Sequence, residues 1–185
     1  HSNIGNNGFW IGENQLLGPK DRICLPVPLF HCFGCVLGVL AAVSHGSTLV
    51  ILEEFNPLLV LTSIQAEKCT ALYGVPTMFL AVLEHSLFSQ FELGSLRTGI
   101  MAGSPCPITV MRQVMDRMHM QDITICYGLT EASPVMTQTR VEDSIQKRVQ
   151  TVGRAMPEIE VKILDPKTGQ ECPAGQPGEV CCRGY

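Results

Sequence analysis

The fold is decided by one stretch of the sequence, Ile123-Thr124-Ile125-Cys126-Tyr127-Gly128-Leu129-Thr130-Glu131. Its β-branched start predicts a strand, and its glycine predicts a turn directly after that strand. In an open parallel sheet, ligands bind beyond the carboxyl ends of the strands. An aromatic face, a hydroxyl and a carboxylate at such an end are parts that a nucleotide site needs. Taken alone, these residues fit equally well an ordinary strand followed by a solvated loop.

Apolar runs alternate with helix-period stretches upstream of this strand. Strands are predicted over residues 23–27, 48–52, 71–73 and 98–102. Helices are predicted over 32–44 and after the prolines Pro57, Pro76 and Pro107. This alternation is typical of βα units, so we predict an α/β fold with a layered parallel sheet and flanking helices.

The pattern changes near residue 150. Residues 158–165 alternate polar and apolar side chains, and turn-forming clusters follow them. The sequence therefore predicts that residues 1–148 form a parallel α/β subdomain and that residues 149–185 begin a small antiparallel β subdomain.

Composition narrows the function classes. Hydrophobic residues make up 45% and charged residues 16% of the chain, whereas roughly a quarter charged is usual. Strands covered on both faces, or an internal fragment of a larger protein, would explain this bias, and we interpret the chain as such a fragment. A net charge of −4 without a basic cluster predicts no nucleic-acid partner. The longest apolar run, 32–43, is too short for a transmembrane segment.

The nine cysteines lack the spacing of a disulfide framework, which favours a reducing compartment. Cys32 and Cys35 form a Cys-x-x-Cys pair, for which a redox or a metal role is the alternative. A zinc site usually needs a second such pair, and the sequence has none. We therefore interpret these cysteines as small buried apolar residues.

Four junctions carry candidate site residues at predicted strand ends. They are Pro28-Leu29-Phe30-His31, Tyr73-Gly74-Val75-Pro76-Thr77, Ala102-Gly103-Ser104-Pro105 and Tyr127-Gly128-Leu129-Thr130-Glu131. Because the carboxyl ends of parallel strands meet at one edge, we expect these junctions to converge on one crevice.

The order of these junctions resembles the adenylate-forming, AMP-binding superfamily. The motifs are PLFH, YGVPT, AGSP, YGLTE, TVGRAMP (151–157) and PGEVCCRGY (177–185). They are most similar to those of its fatty-acyl-CoA ligases, both bacterial ones and acyl-CoA synthetase family member 2. The resemblance covers the whole chain, but the chain covers only part of a family member's large N-terminal domain. It lacks the phosphate loop and the C-terminal domain, which implies that the isolated fragment is inactive.

The resemblance implies an activity for the full-length protein. This activity is the ATP-dependent conversion of a medium- or long-chain fatty acid to acyl-AMP and then acyl-CoA, with ATP, Mg²⁺ and coenzyme A taking part. The alternatives are an aryl-acid CoA ligase and a non-catalytic binding module that retains the fold. The bacterial cytoplasm is the expected location, with the mitochondrial matrix as the alternative, and an oligomer is possible.

The resemblance also implies residue roles. Nucleotide binding falls to the residues Ala102, Gly103, Ser104, Pro105, Tyr127 and Gly128. Thr130 would contact the α-phosphate, Glu131 would ligate Mg²⁺, and His31 would lie where the carboxylate meets the phosphate. The acyl-pocket walls would be Phe30, His31, Tyr73, Gly74 and Met78. Without the resemblance, His31 fits a structural histidine, Ser104 a helix cap and Glu131 a solvated carboxylate.

Overall fold

A computed structural model describes all residues from 1 to 185 and contains nine strands and six α-helices. The strands are β1 (Arg22–Leu25), β2 (Thr48–Ile51), β3 (Ala71–Gly74), β4 (Thr98–Ala102), β5 (Asp122–Gly128), β6 (Val135–Gln138), β7 (Arg154–Ala155), β8 (Glu160–Leu164) and β9 (Glu179–Arg183). The helices are α1 (Ser2–Asn14), α2 (Ala41–His45), α3 (Pro57–Glu67), α4 (Pro76–Leu83), α5 (Ile108–Arg117) and α6 (Ile145–Gln150). A π-helical segment, Phe33–Leu40, leads into α2.

The strands form two sheets. The larger sheet has the order β2-β1-β3-β4-β5-β6-β7, and the smaller one pairs β8 with β9. The first five strands of the large sheet are parallel, while β6 and β7 are antiparallel additions. The predicted α/β fold, a parallel sheet with flanking helices followed by a small antiparallel sheet, is confirmed.

Both faces of the large sheet are covered. One core, of 19 buried residues, lies between the sheet and helices α3, α4 and α5. The other, of 17 buried residues, lies under α1, the π-helical segment and α2. Neighbouring residues of β4 face opposite cores, Met101 the first and Ile100 the second. Two cores of similar size explain why the strands read as unbroken apolar runs rather than as alternating ones.

Helix α1 is an element that the sequence patterns did not predict. Its glycines permit close packing, since an added Cβ at Gly8 would lie 2.6 Å from Leu40 Cβ. Its buried Asn7 bonds the backbone of β6, donating to Val135 O at 2.8 Å and accepting from Val135 N at 3.1 Å. Tertiary contacts thus hold a segment whose glycines and asparagines are poor helix formers.

The strand ends opposite the candidate site are tied together by Asp21. Its carboxylate accepts hydrogen bonds from Arg97, from the Thr70 hydroxyl and from the Gly18 amide. Arg97 also donates to the carbonyls of residues 15 and 16, where α1 ends. This network fixes α1 to the amino ends of the parallel strands.

The predicted subdomain division at residues 148 and 149 stays a prediction. The two-stranded sheet lies wholly within residues 149–185, whereas β7 lies in the same range but pairs with β6 of the large sheet. No helix has both the length and the apolar character needed to cross a membrane.

Candidate functional site

The four predicted junctions follow β1, β3, β4 and β5, which are consecutive neighbours in the large sheet. Since these strands run parallel, their carboxyl ends lie along one edge of the sheet. A crevice forms at this edge and divides into two adjoining cavities. Four residues line both cavities, and they are Gly103, Cys126, Tyr127 and Gly128. The end of β5 therefore separates the two chambers.

The first cavity, of about 240 Å³, lies between the start of the π-helical segment and the turn after β5. Besides the four shared residues, it is lined by His31, Cys32, Phe33, Leu37, Ala102, Leu129, Thr130, Pro134 and Val135. A mostly apolar chamber with a few polar groups at one place is typical of a small-molecule site. The polar groups here are the side chains of His31 and Thr130.

The second cavity, of about 820 Å³, is larger and lies between the loop after β4 and the end of α6. Besides the four shared residues, it is lined by Ser104, Pro105, Cys106, Ile125, Val149, Gln150, Thr151, Val152 and Gly153. Tyr127 is 38% exposed at its wall, so its ring offers a face for a planar ligand group. The volume lies within the range usual for cofactor pockets.

The shape of the β5 end depends on Gly128. The pairing of β5 with β6 shifts its register between Tyr127 and Gly128. A Cβ at Gly128 would lie 1.9 Å from the carbonyl oxygen of Pro134, a steric overlap that excludes any side chain at this position. Gly128 thereby allows the returning chain to pass close behind Tyr127 and directs Thr130 toward the crevice.

Gly103 supplies the second special conformation, at the turn after β4. Its φ is +90°, a region that favours glycine, and a Cβ there would lie 3.1 Å from Val75 Cγ1. The turn leaves Ser104 and Pro105 exposed at the mouth of the second cavity.

His31 has one ring nitrogen already in use. The Phe33 backbone amide donates to His31 Nδ1 at 3.0 Å. In the neutral ring the proton therefore resides on Nε2, which is left as a donor for a ligand oxygen. Next to it, Cys32 Sγ lies 3.5 Å from Thr130 Oγ1, a contact that joins the loop after β1 to the turn after β5.

Two cysteines of the crevice, Cys106 and Cys126, are poor nucleophiles. Burial raises the pKa of the Cys126 thiol well above its usual range, and burial raises the pKa of Cys106 to about 11. Both thiols stay protonated at neutral pH, and the thiolate is the reactive form. These two thiols are therefore not candidates for nucleophilic catalysis.

Thr130 and Glu131 lie in a single 3₁₀ turn, Thr130–Ala132, and both are exposed. No group of three or more His, Cys, Asp or Glu side chains is close enough together to hold a metal ion. Mg²⁺ is commonly bound through one or two carboxylates together with substrate phosphates. The single carboxylate of Glu131 fits a metal that arrives with a phosphate ligand rather than a preformed protein cage.

The residues predicted as acyl-pocket walls do not all meet. Phe30 is 95% exposed on the loop after β1 and lines neither cavity. Tyr73 is fully buried, its hydroxyl has no hydrogen-bond partner, and burial raises its pKa. Gly74 and Met78 lie beside a separate small apolar gap under α4. Of this set only His31 lines the first cavity, and the acyl role of the others stays a prediction.

Several lining residues were missed by the sequence patterns. Leu129 and Val135 line the first cavity, and residues 149–153 form one wall of the second. The only signal for this wall was the motif TVGRAMP, to which no role was assigned. Val135 carried no signal, because β6 joins the sheet as an antiparallel strand.

Fold and crevice together define an α/β protein with a divided crevice beyond the ends of its parallel strands, which is where open α/β sheets bind ligands. The chain belongs to the AMP-binding enzyme family, which matches residues 1–185.

Named relatives and one solved structure support this assignment. The chain is 58% identical over 185 residues to the Bacillus subtilis protein YngI, provisionally named an acyl-CoA synthetase, and covers 34% of its length. It is 38% identical over 190 residues to the bovine mitochondrial medium-chain acyl-CoA ligase ACSF2, covering 31% of it. All of this chain takes part in both matches. The anthranilate CoA ligase AuaEII, solved with anthranoyl-AMP, superposes with a TM-score of 0.88 and is 26% identical in sequence. This superposition covers the whole of this chain and 35% of AuaEII. The chain thus spans about a third of the proteins that it matches.

Proposed function

We propose that the full-length protein is an AMP-forming acid–thiol ligase that activates a medium- or long-chain fatty acid with ATP and transfers it to coenzyme A. The observation that carries this proposal is the convergence of three strand ends, those of β1, β4 and β5, on one divided crevice. One chamber offers an aromatic face, and the other offers an apolar wall with a histidine and a threonine. Membership of the AMP-binding family and the names of the relatives support the same reaction class.

The proposed reaction has two steps. A carboxylate oxygen attacks the α-phosphorus of ATP, so that a mixed anhydride, acyl-AMP, forms and pyrophosphate leaves. The thiol of coenzyme A then attacks the acyl carbon, a thioester forms, and AMP leaves with the electron pair of the broken bond. The first step brings two anions together, so positioning and charge neutralisation dominate its catalysis.

The chain's own residues take three parts in this scheme. In the second cavity, Tyr127 would pack against the adenine, with the backbone of residues 102–105 on the other side. From the first cavity, just beyond the end of β5 that separates the chambers, the Thr130 hydroxyl would donate to an α-phosphate oxygen. His31 Nε2–H would donate to an oxygen of the substrate carboxylate, since Nδ1 is already occupied.

Glu131 lines neither cavity but directly follows Thr130, which lines the first one, and we propose that it would hold Mg²⁺ there. The bound ion would neutralise phosphate charge in the first step. This role fits the exposed position of Glu131 one residue after Thr130.

The class of acid rests on the first cavity. Its lining includes the aliphatic side chains of Leu37, Leu129 and Val135, which favours an alkyl chain, and the name of ACSF2 specifies medium-chain acyl groups. The second candidate is an aryl acid, favoured by the fold shared with a ligase whose structure holds anthranoyl-AMP. Since the named relatives come from a bacterium and from mitochondria, we propose the bacterial cytoplasm as the location, with the mitochondrial matrix as the alternative.

The proposal is tested by carboxylate-dependent ATP–pyrophosphate exchange in the full-length protein. Saturated fatty acids of increasing length are compared with benzoate and cinnamate. A maximum at one alkyl length supports the fatty-acid ligase, and a maximum with benzoate or cinnamate supports the aryl-acid ligase. No exchange with any acid, from a folded protein supplied with Mg²⁺, would instead favour a non-catalytic binding module.

Replacing Glu131 by alanine separates a ligase from a binding module. We expect Glu131→Ala to lower Mg²⁺-dependent exchange by about 100-fold or more, because one metal-ligating carboxylate is lost in the step that joins two anions. Glu171→Ala serves as the control, since Glu171 is an exposed carboxylate in the two-stranded sheet region, where it pairs with Lys162. Equal activity of the two variants would remove the proposed metal role of Glu131.

A further inference from the structure

One wall of the second cavity consists of residues 149–153, hereafter the wall segment. It joins the end of α6 to β7. Val149 packs against the first core and a Cβ on Gly153 would lie 2.1 Å from the Gln138 carbonyl carbon, whereas Val152 is 45% exposed. Within it, the Thr151 hydroxyl donates to Lys147 O at 2.7 Å. From the sheet, the Thr137 hydroxyl donates to Val152 O, also at 2.7 Å. These bonds hold the middle of the wall segment, and its position depends in addition on what holds its two ends.

One buried carboxylate holds both ends. Asp143, with 3% of its side chain exposed, accepts a hydrogen bond from Lys147 Nζ at 2.7 Å. Lys147 is in α6, before the wall segment. The same oxygen, Asp143 Oδ1, accepts from an Arg154 guanidinium nitrogen at 3.0 Å, and Arg154 opens β7 directly after the wall segment. Asp143 Oδ2 accepts from the Arg140 amide at 2.8 Å, which fixes the carboxylate itself to the end of β6.

A second buried residue fixes α6 to the sheet. The Arg148 guanidinium donates to the carbonyls of Asp143 at 2.9 Å, Gln121 at 2.6 Å and Ile123 at 2.9 Å. Arg148 therefore fixes α6 to the large sheet, while Asp143 links α6 to β7 through Lys147 and Arg154. Burial opposes ionisation of Asp143, but the hydrogen bonds from Lys147, Arg140 and Arg154 outweigh it and lower its pKa. The carboxylate is charged at neutral pH.

We propose that Asp143 is a positioning residue for nucleotide binding, which sets the wall segment at the distance from Tyr127 that the base and ribose side of ATP requires. This role rests on the proposed function. Asp143 lines neither cavity, so it acts through the wall segment and touches no substrate. The first cavity, where the acid would bind, shares none of the wall segment's residues.

We expect Asp143→Asn to weaken the binding of ATP but not that of the fatty acid. Asp143→Asn keeps the shape of the side chain and an acceptor for the Arg140 amide, but it removes the charge that Lys147 and Arg154 share. We expect the KM for ATP to rise by about tenfold or more, because small displacements of a binding wall have large effects on bound geometry. The KM for the fatty acid and the kcat should stay within about twofold of the wild-type values.

Matched variants make the test specific. Glu142→Gln is the control, because Glu142 is an exposed neighbour whose carboxylate also contacts Arg154, at 3.5 Å. Lys147→Met and Arg154→Met each release one end of the wall segment, on exposed side chains where misfolding is not expected. We expect each to raise the KM for ATP by less than Asp143→Asn does.

The experiment measures steady-state kinetics and amide hydrogen exchange of the full-length protein and its variants. The proposal is supported if Asp143→Asn shows a selective rise in the KM for ATP and faster amide hydrogen exchange in residues 149–153. Glu142→Gln should show neither change. An unchanged KM for ATP, or an equal rise in both KM values with faster exchange throughout the protein, overturns the proposal. If the wild-type protein catalyses no ATP–pyrophosphate exchange, the ligase proposal fails separately. In that case, an unchanged rate of amide hydrogen exchange in the wall segment of Asp143→Asn would overturn the positioning role on its own.

Discussion

Replacing Asp21 by asparagine should destabilise the protein in a pH-dependent way. One carboxylate oxygen accepts from the Thr70 hydroxyl at 2.6 Å and from Arg97 Nε at 3.1 Å. The other accepts from an Arg97 terminal nitrogen at 2.8 Å and from the Gly18 amide at 2.9 Å. In Asp21→Asn an NH₂ group replaces one of these oxygens and faces two donors instead of accepting from them.

The expected magnitude follows from the two bonds lost. Hydrogen bonds that involve a charged group contribute about 1.5–3 kcal/mol each, which gives about 3–6 kcal/mol for two. The Arg97 side chain is 33% exposed, so water can solvate part of the guanidinium that the substitution leaves unpaired. We therefore expect the free energy of unfolding at pH 7 to fall by about 2–4 kcal/mol.

The pH dependence has a definite sign. Burial tends to raise the pKa of Asp21, but hydrogen bonds from Arg97 and Thr70 and the Arg97 charge outweigh it, and the folded-state pKa is lowered. A lowered folded pKa adds stability that is present above the unfolded value of about 3.9 and is lost as the pH falls through the folded pKa. The difference between wild type and Asp21→Asn should therefore be largest near neutral pH and shrink below about pH 4. Asp143, whose pKa is also lowered, is common to both proteins and cancels in this difference.

Urea-induced unfolding, followed by circular dichroism between pH 7 and pH 3, measures both quantities. Glu67→Gln is the matched control, because Glu67 pairs with Arg22 near the same strand ends but is 49% exposed. Exposed pairs contribute about 1 kcal/mol or less, so this variant should change little. A loss below about 1 kcal/mol for Asp21→Asn, or a loss that does not vary with pH, would refute the reasoning.

Two further predictions concern glycines. Gly128→Ala should lower ATP–pyrophosphate exchange by about tenfold or more, because its Cβ would meet Pro134 O at 1.9 Å and displace the end of β5 beside Tyr127; wild-type kinetics in this variant would contradict the assigned geometry. In α1, Gly5→Ala should stabilise the protein by about 0.5–1 kcal/mol, since its Cβ would meet nothing within 4 Å. Gly8→Ala should destabilise it by about 1–3 kcal/mol through overlap with Leu40, and thermal unfolding that ranks the two variants in the opposite order would disprove the packing of α1.

The parallel part of the fold could be predicted because its signals are local. The inner parallel strands β1, β3, β4 and β5 are covered on both faces and so read as short apolar runs, and the strand predicted over 98–102 coincides with β4. The candidate site residues could be predicted for a similar reason, since the residues that follow parallel strands all lie at one edge of the sheet. This is why His31, Gly103 and Tyr127 meet although far apart in the sequence.

The remaining parts depend on contacts that leave no local pattern. Helix α1 contains three glycines and is stabilised by close packing and by the bonds between Asn7 and Val135. The fully buried position of Tyr73 depends on which face of β3 it occupies, and a strand with two apolar faces does not reveal this. In the sequence, Asp143 is one of several charged residues before a short helix. Its contacts with Lys147 and Arg154 cannot be foreseen there, because Arg154 comes close only when β7 pairs with β6.

The division of the crevice limits which properties can change independently. Gly103, Cys126, Tyr127 and Gly128 line both chambers, so substitutions there should alter the use of ATP and of the acid together. His31 lines only the first chamber and the wall segment lines only the second, so changes around them should separate the two affinities. β5 separates the chambers and Thr130 follows just beyond its end, so under the proposed function both substrates would meet where the parallel sheet turns antiparallel. If the proposed function and the proposed role of Asp143 hold, substitutions beside the π-helical segment should change selectivity for the acid without changing the affinity for ATP.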